Sequence, residues 1–223
     1  MNCYVITRAA TPPELADDWT APIWQQANTL EIAAFRPESS PHRPETRCRL
    51  LYDDRGIYGR FLVRDRYVVS KREHFQDQVC CDSCVEFFVK PPACRGYFNL
   101  EMNCSGVFLI QHVIDPRREN RGPLKEFRKF TRAEVAELKV FGSMPKKLPA
   151  EIAGPVEWQV GFFLPFSLFE AECGRRTPAA GEIWRANFYK CADDSSRPHW
   201  ASWNPISELN FHLPDGFGNL QFQ

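Results

Sequence analysis

Long stretches of helical period are missing from this 223-residue chain, and so is any excess charge: 28 Lys and Arg stand against 28 Asp and Glu. The first absence argues against a helical bundle. The second removes the field that would draw a protein to nucleic acid or to an anionic membrane, so neither is expected as a partner. No segment approaches the roughly 18 apolar residues of a membrane span. The opening residues, MNCYVITRAATPPELADDW, lack the apolar run of a secretory signal, and the chain as written is expected to be soluble and cytoplasmic. Internal repeats and low-complexity tracts are also missing. One domain over residues 1–223 is expected, and 43% hydrophobic content suffices for its core.

What the chain has instead is a series of short runs rich in β-branched and aromatic residues. They are RCRLLYD (47–53), GIYGRFLVRD (56–65), SCVEFFVKP (83–91), GYFNLEMNC (96–104), GVFLIQHVI (106–114), EWQVGFFLP (157–165) and EIWRANFYKC (182–191). Turn-forming clusters such as Asp53-Asp54-Arg55-Gly56, Pro91-Pro92 and Ser105-Gly106 separate them. The pattern predicts an all-β fold, an antiparallel β-sandwich of jelly-roll or immunoglobulin-like type. Two short connecting helices are expected, one where Thr131 and Glu134 read as a capping box and one after Pro165 over FSLFEAE. The tracts 39–47 and 116–130 read as long surface loops.

Nine cysteines at irregular spacing do not make a tidy disulfide framework. Cys81 and Cys84 form a C-x-x-C within CCDSC, but Cys94 and Cys104 follow at distances that suit no familiar zinc site. The cysteines are expected to be reduced and no metal site is assigned, with Cys84 acting as a small apolar strand residue.

Sorting strand residues by face is more informative, because successive side chains point to opposite sides. Phe98, Leu100 and Met102 oppose Tyr97, Asn99, Glu101 and Asn103. Trp184, Ala186 and Phe188 oppose Arg185, Asn187 and Tyr189; Val85, Phe87 and Val89 oppose Glu86; Arg60 opposes Phe61 and Val63. The second set collects planar groups able to make bidentate hydrogen bonds, with Glu86 or Glu101 expected to pair with Arg60 or Arg185. Such a row suits a ligand with many hydroxyls, a sugar, or else a structural network covering one sheet. In RPHWASWNPI (197–206), Trp200 and Trp203 could stack on a ring or pack in the core.

The segments IYGRFLVRDRYV, DSCVEFFVKP, GYFNLEMNCSG, GEIWRANFYKC, ASWNPI and FHLPDGFGNLQF, spread from Trp19 to Phe222, resemble the family 9 carbohydrate-binding modules and the related DOMON-like domains. The resemblance implies a β-sandwich that holds a mono-, oligo- or polysaccharide by aromatic stacking and polar contacts, in members that are often secreted. It places Glu86, Asn99, Glu101, Asn103, Arg185, Asn187 and Trp203 in the binding site; Trp200, Arg60 and Tyr189 join them by proximity or by face. It also implies a structural calcium ion in some members, for which Asp53-Asp54 and Asp193-Asp194 are the visible acidic pairs.

Non-catalytic carbohydrate binding is therefore the expected function. A glycoside hydrolase would use Glu86 and Glu101 at a separation of roughly 5–5.5 Å or 6.5–9.5 Å, with one carboxyl kept protonated. Nearby arginines are expected to keep both ionised and so to oppose that chemistry. The third class is a DOMON-like haem or cofactor binder, or a protein-docking domain. For haem, Met102 is expected in the core and His112, His199 and His212 are scattered.

Overall fold

The structure, a computed structural model, describes residues 1–119, 122–174 and 177–223. Its strands are β1 (Cys3–Arg8), β2 (Thr29–Glu31), β3 (Ala34–Phe35), β4 (Glu45–Tyr52), β5 (Gly56–Asp65), β6 (Cys84–Lys90), β7 (Tyr97–Asn103), β8 (Phe108–Arg118), β9 (Leu124–Lys129), β10 (Lys139–Gly142), β11 (Val156–Pro165), β12 (Ile183–Cys191), β13 (Trp200–Ser202) and β14 (Gly218–Phe222). One helix, α1 (Phe166–Cys173), connects β11 to β12.

The strands make a β-sandwich. One sheet runs β10-β11-β5-β4-β1, and the other runs β1-β14-β12-β6-β7-β8-β9. β1 belongs to both: Cys3 to Ile6 pair in parallel with β14, and Thr7 and Arg8 pair in parallel with β4. Every other ladder among the described residues is antiparallel, the longest being β5 with β11 from Gly56↔Pro165 to Asp65↔Val156. The seven expected strands form, each within a few residues of its expected ends. Among the described residues no helix is long and apolar enough to cross a membrane.

Alternation along each strand builds the core. Phe61 and Phe162 point inward from the first sheet and meet Phe87 and Phe188 of the second, with Phe87 5.5 Å from Phe162 and 5.0 Å from Phe188 between ring centroids. Each such ring, fully buried, contributes roughly 1.5–3 kcal/mol of hydrophobic stabilisation. Helix α1 adds Phe166, Leu168 and Phe169 to the same core. It ends at Gly174, whose φ of 65° is the left-handed conformation that lets its N–H close on the Glu170 carbonyl.

Two local expectations are corrected. Thr131 and Glu134 do exchange capping-box bonds, Thr131 N–H to Glu134 Oε2 at 2.7 Å and Glu134 N–H to Thr131 Oγ1 at 3.4 Å, but residues 132–137 turn without propagating a helix. The tract 116–130 is not a loop. Leu124–Lys129 pairs with β8 from Gln111 to Arg118, so the basic residues flank an edge ladder, and residues 120 and 121 lie outside the described residues.

The end of the interlayer space carries a polar group that the strand reading passed over. Lys190 continues the inward face of Trp184, Ala186 and Phe188, and is fully buried. Its Nζ lies 3.6 Å from Asp65 Oδ2 and donates to His199 Nε2 at 2.8 Å, while His42 Nε2 is 2.7 Å from Asp65 Oδ1. Burial alone would raise the Asp65 carboxyl, but Lys190 and His42 hold it well below the usual carboxylate range.

Candidate functional site

Each outer face of the sandwich is partly covered by irregular chain. On the first sheet, residues 9–27 bury Trp24 against Leu51 and Tyr58. On the second, residues 206–217 lie over Phe88, Tyr97 and Tyr189, with Phe211 stacked on Tyr189 at 4.1 Å and 13°. The part of the second face left open is a groove of about 1330 Å³. Glu86 and Glu101 line it together with Cys191, and its walls come from Pro116 to Arg118 of the edge ladder, from residues 208–215, and from Trp200 with Asp193.

Register explains why the two carboxyl groups meet. Glu86 of β6 lies directly opposite Glu101 of β7, and both side chains face away from the core. Glu86 is 2% exposed and Glu101 7%. The Glu86 Oε1 accepts the Cys191 thiol at 3.2 Å, and Asn99 Nδ2 donates to Glu101 Oε1 at 2.8 Å. The Glu86 Oε2 and the Asn99 Oδ1 are buried without a partner among the described residues.

Burial and then repulsion from Glu101 push the Glu86 carboxyl well above its ordinary value. Burial also raises Glu101 to about 7, against the lowering effect of the Asn99 hydrogen bond. The expected arginine pairing does not form, so neither Arg60 nor Arg185 offsets the upward shift of the two carboxyls. Arg60 lies on the outer face of the other sheet, bonded to Gln159 Oε1 and the Leu15 carbonyl. Arg185 donates to the carbonyls of Phe217 and Gly218.

Of the remaining expected residues, Asn187 is a structural clamp: its Oδ1 accepts the Phe188 and Asn204 N–H groups and its Nδ2 donates to the Asn204 carbonyl. Asn103 is similarly occupied, with Asp82, Ser105 and Val107. Tyr189 is fully buried beneath Phe211 and donates to its carbonyl. Thus Glu86, Glu101 and Trp200 line the groove, Asn99 supports it, and Arg60, Asn103, Asn187 and Tyr189 do not present free groups to it.

The two tryptophans change places relative to the expectation. Trp203 is 9% exposed and packs edge-on against Phe188 at 5.6 Å. It fills the space over Gly218, where a Cβ would lie 2.4 Å from its ring. Trp200 is half-buried at the groove, and its indole N–H donates to Asp193 Oδ1 at 2.8 Å. Arg118, His212 and Phe211 also reach the groove but were not anticipated, because they come from an edge ladder and a loop whose paths no strand alternation fixes. His212 accepts or donates at the Tyr97 hydroxyl, 2.6 Å away, and burial with Arg118 nearby lowers it to about 3.

The family model described as carbohydrate-binding family 9 matches residues 22–222. The chain belongs to that family. A Bacteroides uniformis protein, itself named only as a candidate carbohydrate-binding protein, superposes with a TM-score of 0.84 at 25% identity, covering 99% of each chain. A family 9 module from Caldicellulosiruptor kristjanssonii in complex with glucose gives a TM-score of 0.67 at 14% identity, over 100% of this chain and 96% of that one. One in complex with cellotriose gives 0.66 at 13%, over 100% and 94%. No curated protein matches.

The structural calcium that the family resemblance implies does not fit either acidic pair of this family 9 chain. The Asp53 oxygens accept the Arg55 and Gly56 N–H groups and the Tyr58 hydroxyl, and Asp54 is paired with Arg8. Asp193 holds Trp200, and Asp194 is paired with Arg72. These oxygens face hydrogen-bond donors and cations rather than one another, whereas calcium takes six to eight converging oxygens. For haem, Met102 is buried in the core, His112 is stacked on Phe98 and His199 is bonded to Lys190.

Proposed function

We propose that this chain binds a saccharide, without catalysis, in the groove over the outer face of the second sheet, with the Trp200 ring as its apolar wall and Glu86, Glu101 and Asp193 meeting sugar hydroxyls. The observation that carries the reading is one half-buried indole, fixed by its bond to Asp193, beside buried carboxyl groups in an open groove. A sugar ring has an apolar face for the indole and hydroxyls that both donate and accept. A protonated carboxyl also does both, so the raised Glu86 and Glu101 suit such a ligand without charge compensation. The glucose and cellotriose complexes of the two structural neighbours add support.

Titration calorimetry against glucose, cellotriose and a wider panel of mono- and oligosaccharides tests this. Binding should be detected and should weaken about 30-fold in Trp200→Ala, the effect of losing an aromatic anchor worth about 2 kcal/mol. Silence across the panel from folded protein would overturn the proposal.

Hydrolysis is the second reading, favoured by one observation: directly opposed carboxyl groups of which Glu101 titrates near neutrality. It requires one group to remain a carboxylate while the other is an acid, and burial here pushes both toward the acid form. Turnover of chromogenic glycosides that vanishes in Glu86→Gln would place this reading first.

A further inference from the structure

Beside the groove stands a pair of buried thiols that a sugar site does not require. Cys84 and Cys191 stand directly opposite each other on β6 and β12, and Glu86 follows Cys84 on the same face. All three residues are buried, and one donor atom from each lies within 4.8 Å of the others. The Cys191 Sγ is 3.2 Å from the Glu86 Oε1. The other Glu86 oxygen is buried without a partner among the described residues.

We propose that Cys84, Cys191 and Glu86 bind a thiophilic divalent cation of the zinc class. Tetrahedral zinc with bonds of about 2.0–2.3 Å separates its donors by roughly 3.5 Å, so these three side chains need only small rotations to converge on one ion. Two sulfurs and one carboxylate select zinc over calcium or magnesium, which take oxygen donors. Cys80 packs against Cys84 and Cys191 and lines the groove, but its thiol is not one of the three converging donors. Binding releases the two thiol protons and the proton of Glu86, and the ion then neutralises two of the three negative charges so formed. Of the C-x-x-C in the sequence only Cys84 takes part, since Cys81 groups with Cys80 and Asp193 nearer the surface.

The site shares Glu86 with the saccharide reading but does not rest on it, and cobalt(II) tests it directly. Added to the reduced, metal-free full chain, one equivalent of Co²⁺ should give the visible bands of tetrahedral cobalt with a thiolate charge-transfer band, and Zn²⁺ should erase both. Cys191→Ser should lose most of the charge-transfer intensity, and Cys81→Ser should keep it. A folded wild-type protein with nine titratable thiols that gives only the pale spectrum of hydrated cobalt would overturn the proposal. So would a charge-transfer band that survives Cys84→Ser and Cys191→Ser but not Cys81→Ser. Because saccharide titrations run on the metal-free protein, failure of one proposal leaves the other separately readable.

Discussion

Glu101→Gln should make the protein more stable in alkali while changing little in acid. Folding takes the Glu101 carboxyl from an ordinary 4.5 to about 7, mainly by burial. At about 1.4 kcal/mol for each tenfold change in proton affinity, the difference is worth about 3 kcal/mol. The native state holds the proton more tightly than the unfolded chain. The stabilisation is therefore complete below pH 4.5 and is lost as the pH rises to about 7. His199 and His212 act in the opposite sense: burial, with Lys190 beside the first and Arg118 beside the second, lowers each from 6.5 to about 3. Their contribution is present above pH 6.5 and is lost as the pH falls toward 3, so wild type alone would show both trends superimposed. Subtracting the variant removes the histidines. Gln resembles the protonated carboxyl in shape and keeps an acceptor for Asn99 Nδ2. Urea unfolding at a series of pH values should then show the variant ahead by up to about 3 kcal/mol above pH 7, with the gap closing toward pH 4.5. A gap independent of pH, or one that widens in acid, would refute the burial argument.

Three further outcomes follow from the packing. Trp203→Ala, unlike Trp200→Ala, should lower stability by about 3–5 kcal/mol in urea unfolding, since it empties a core position. Gly218→Ala drives a Cβ to within 2.4 Å of the Trp203 ring; thermal unfolding should show a loss of about 1–3 kcal/mol, and an unchanged Tm would contradict the close approach. Lys190→Met leaves Asp65 buried without the lysine charge beside it and should cost about 3 kcal/mol, read by urea unfolding at neutral pH.

Alternation along seven strands made most of the sandwich legible, because a period of two tells which side chains enter the core. It does not tell which of two outer faces the others occupy. Arg60 and Glu86 both alternate outward, yet they stand on opposite sides of the molecule, since β5 and β6 lie in different sheets. That is why the expected pairing of glutamate with arginine failed. β1 and β14 were passed over because six and five residues respectively carry too few alternations to stand out. The Lys190 signal was present, two residues after Phe188 on the inward face, but a lysine there reads as a strand end until its buried partners are seen. The tryptophans show the limit of spacing alone. Trp200 begins β13 and stays at the groove, while Trp203 falls just beyond the strand and turns inward over a glycine.

The pairing of β1 with β14 has a mechanical consequence. The two strands run in the same direction, Cys3 opposite Asn219 and Ile6 opposite Phe222. Tension between residue 1 and residue 223 therefore slides them past each other rather than peeling them apart. The evenly spaced bonds of a parallel ladder then share the load at once, and β1 passes part of it to β4 in the opposite sheet. Held by its ends, the molecule meets force in shear across its central seam.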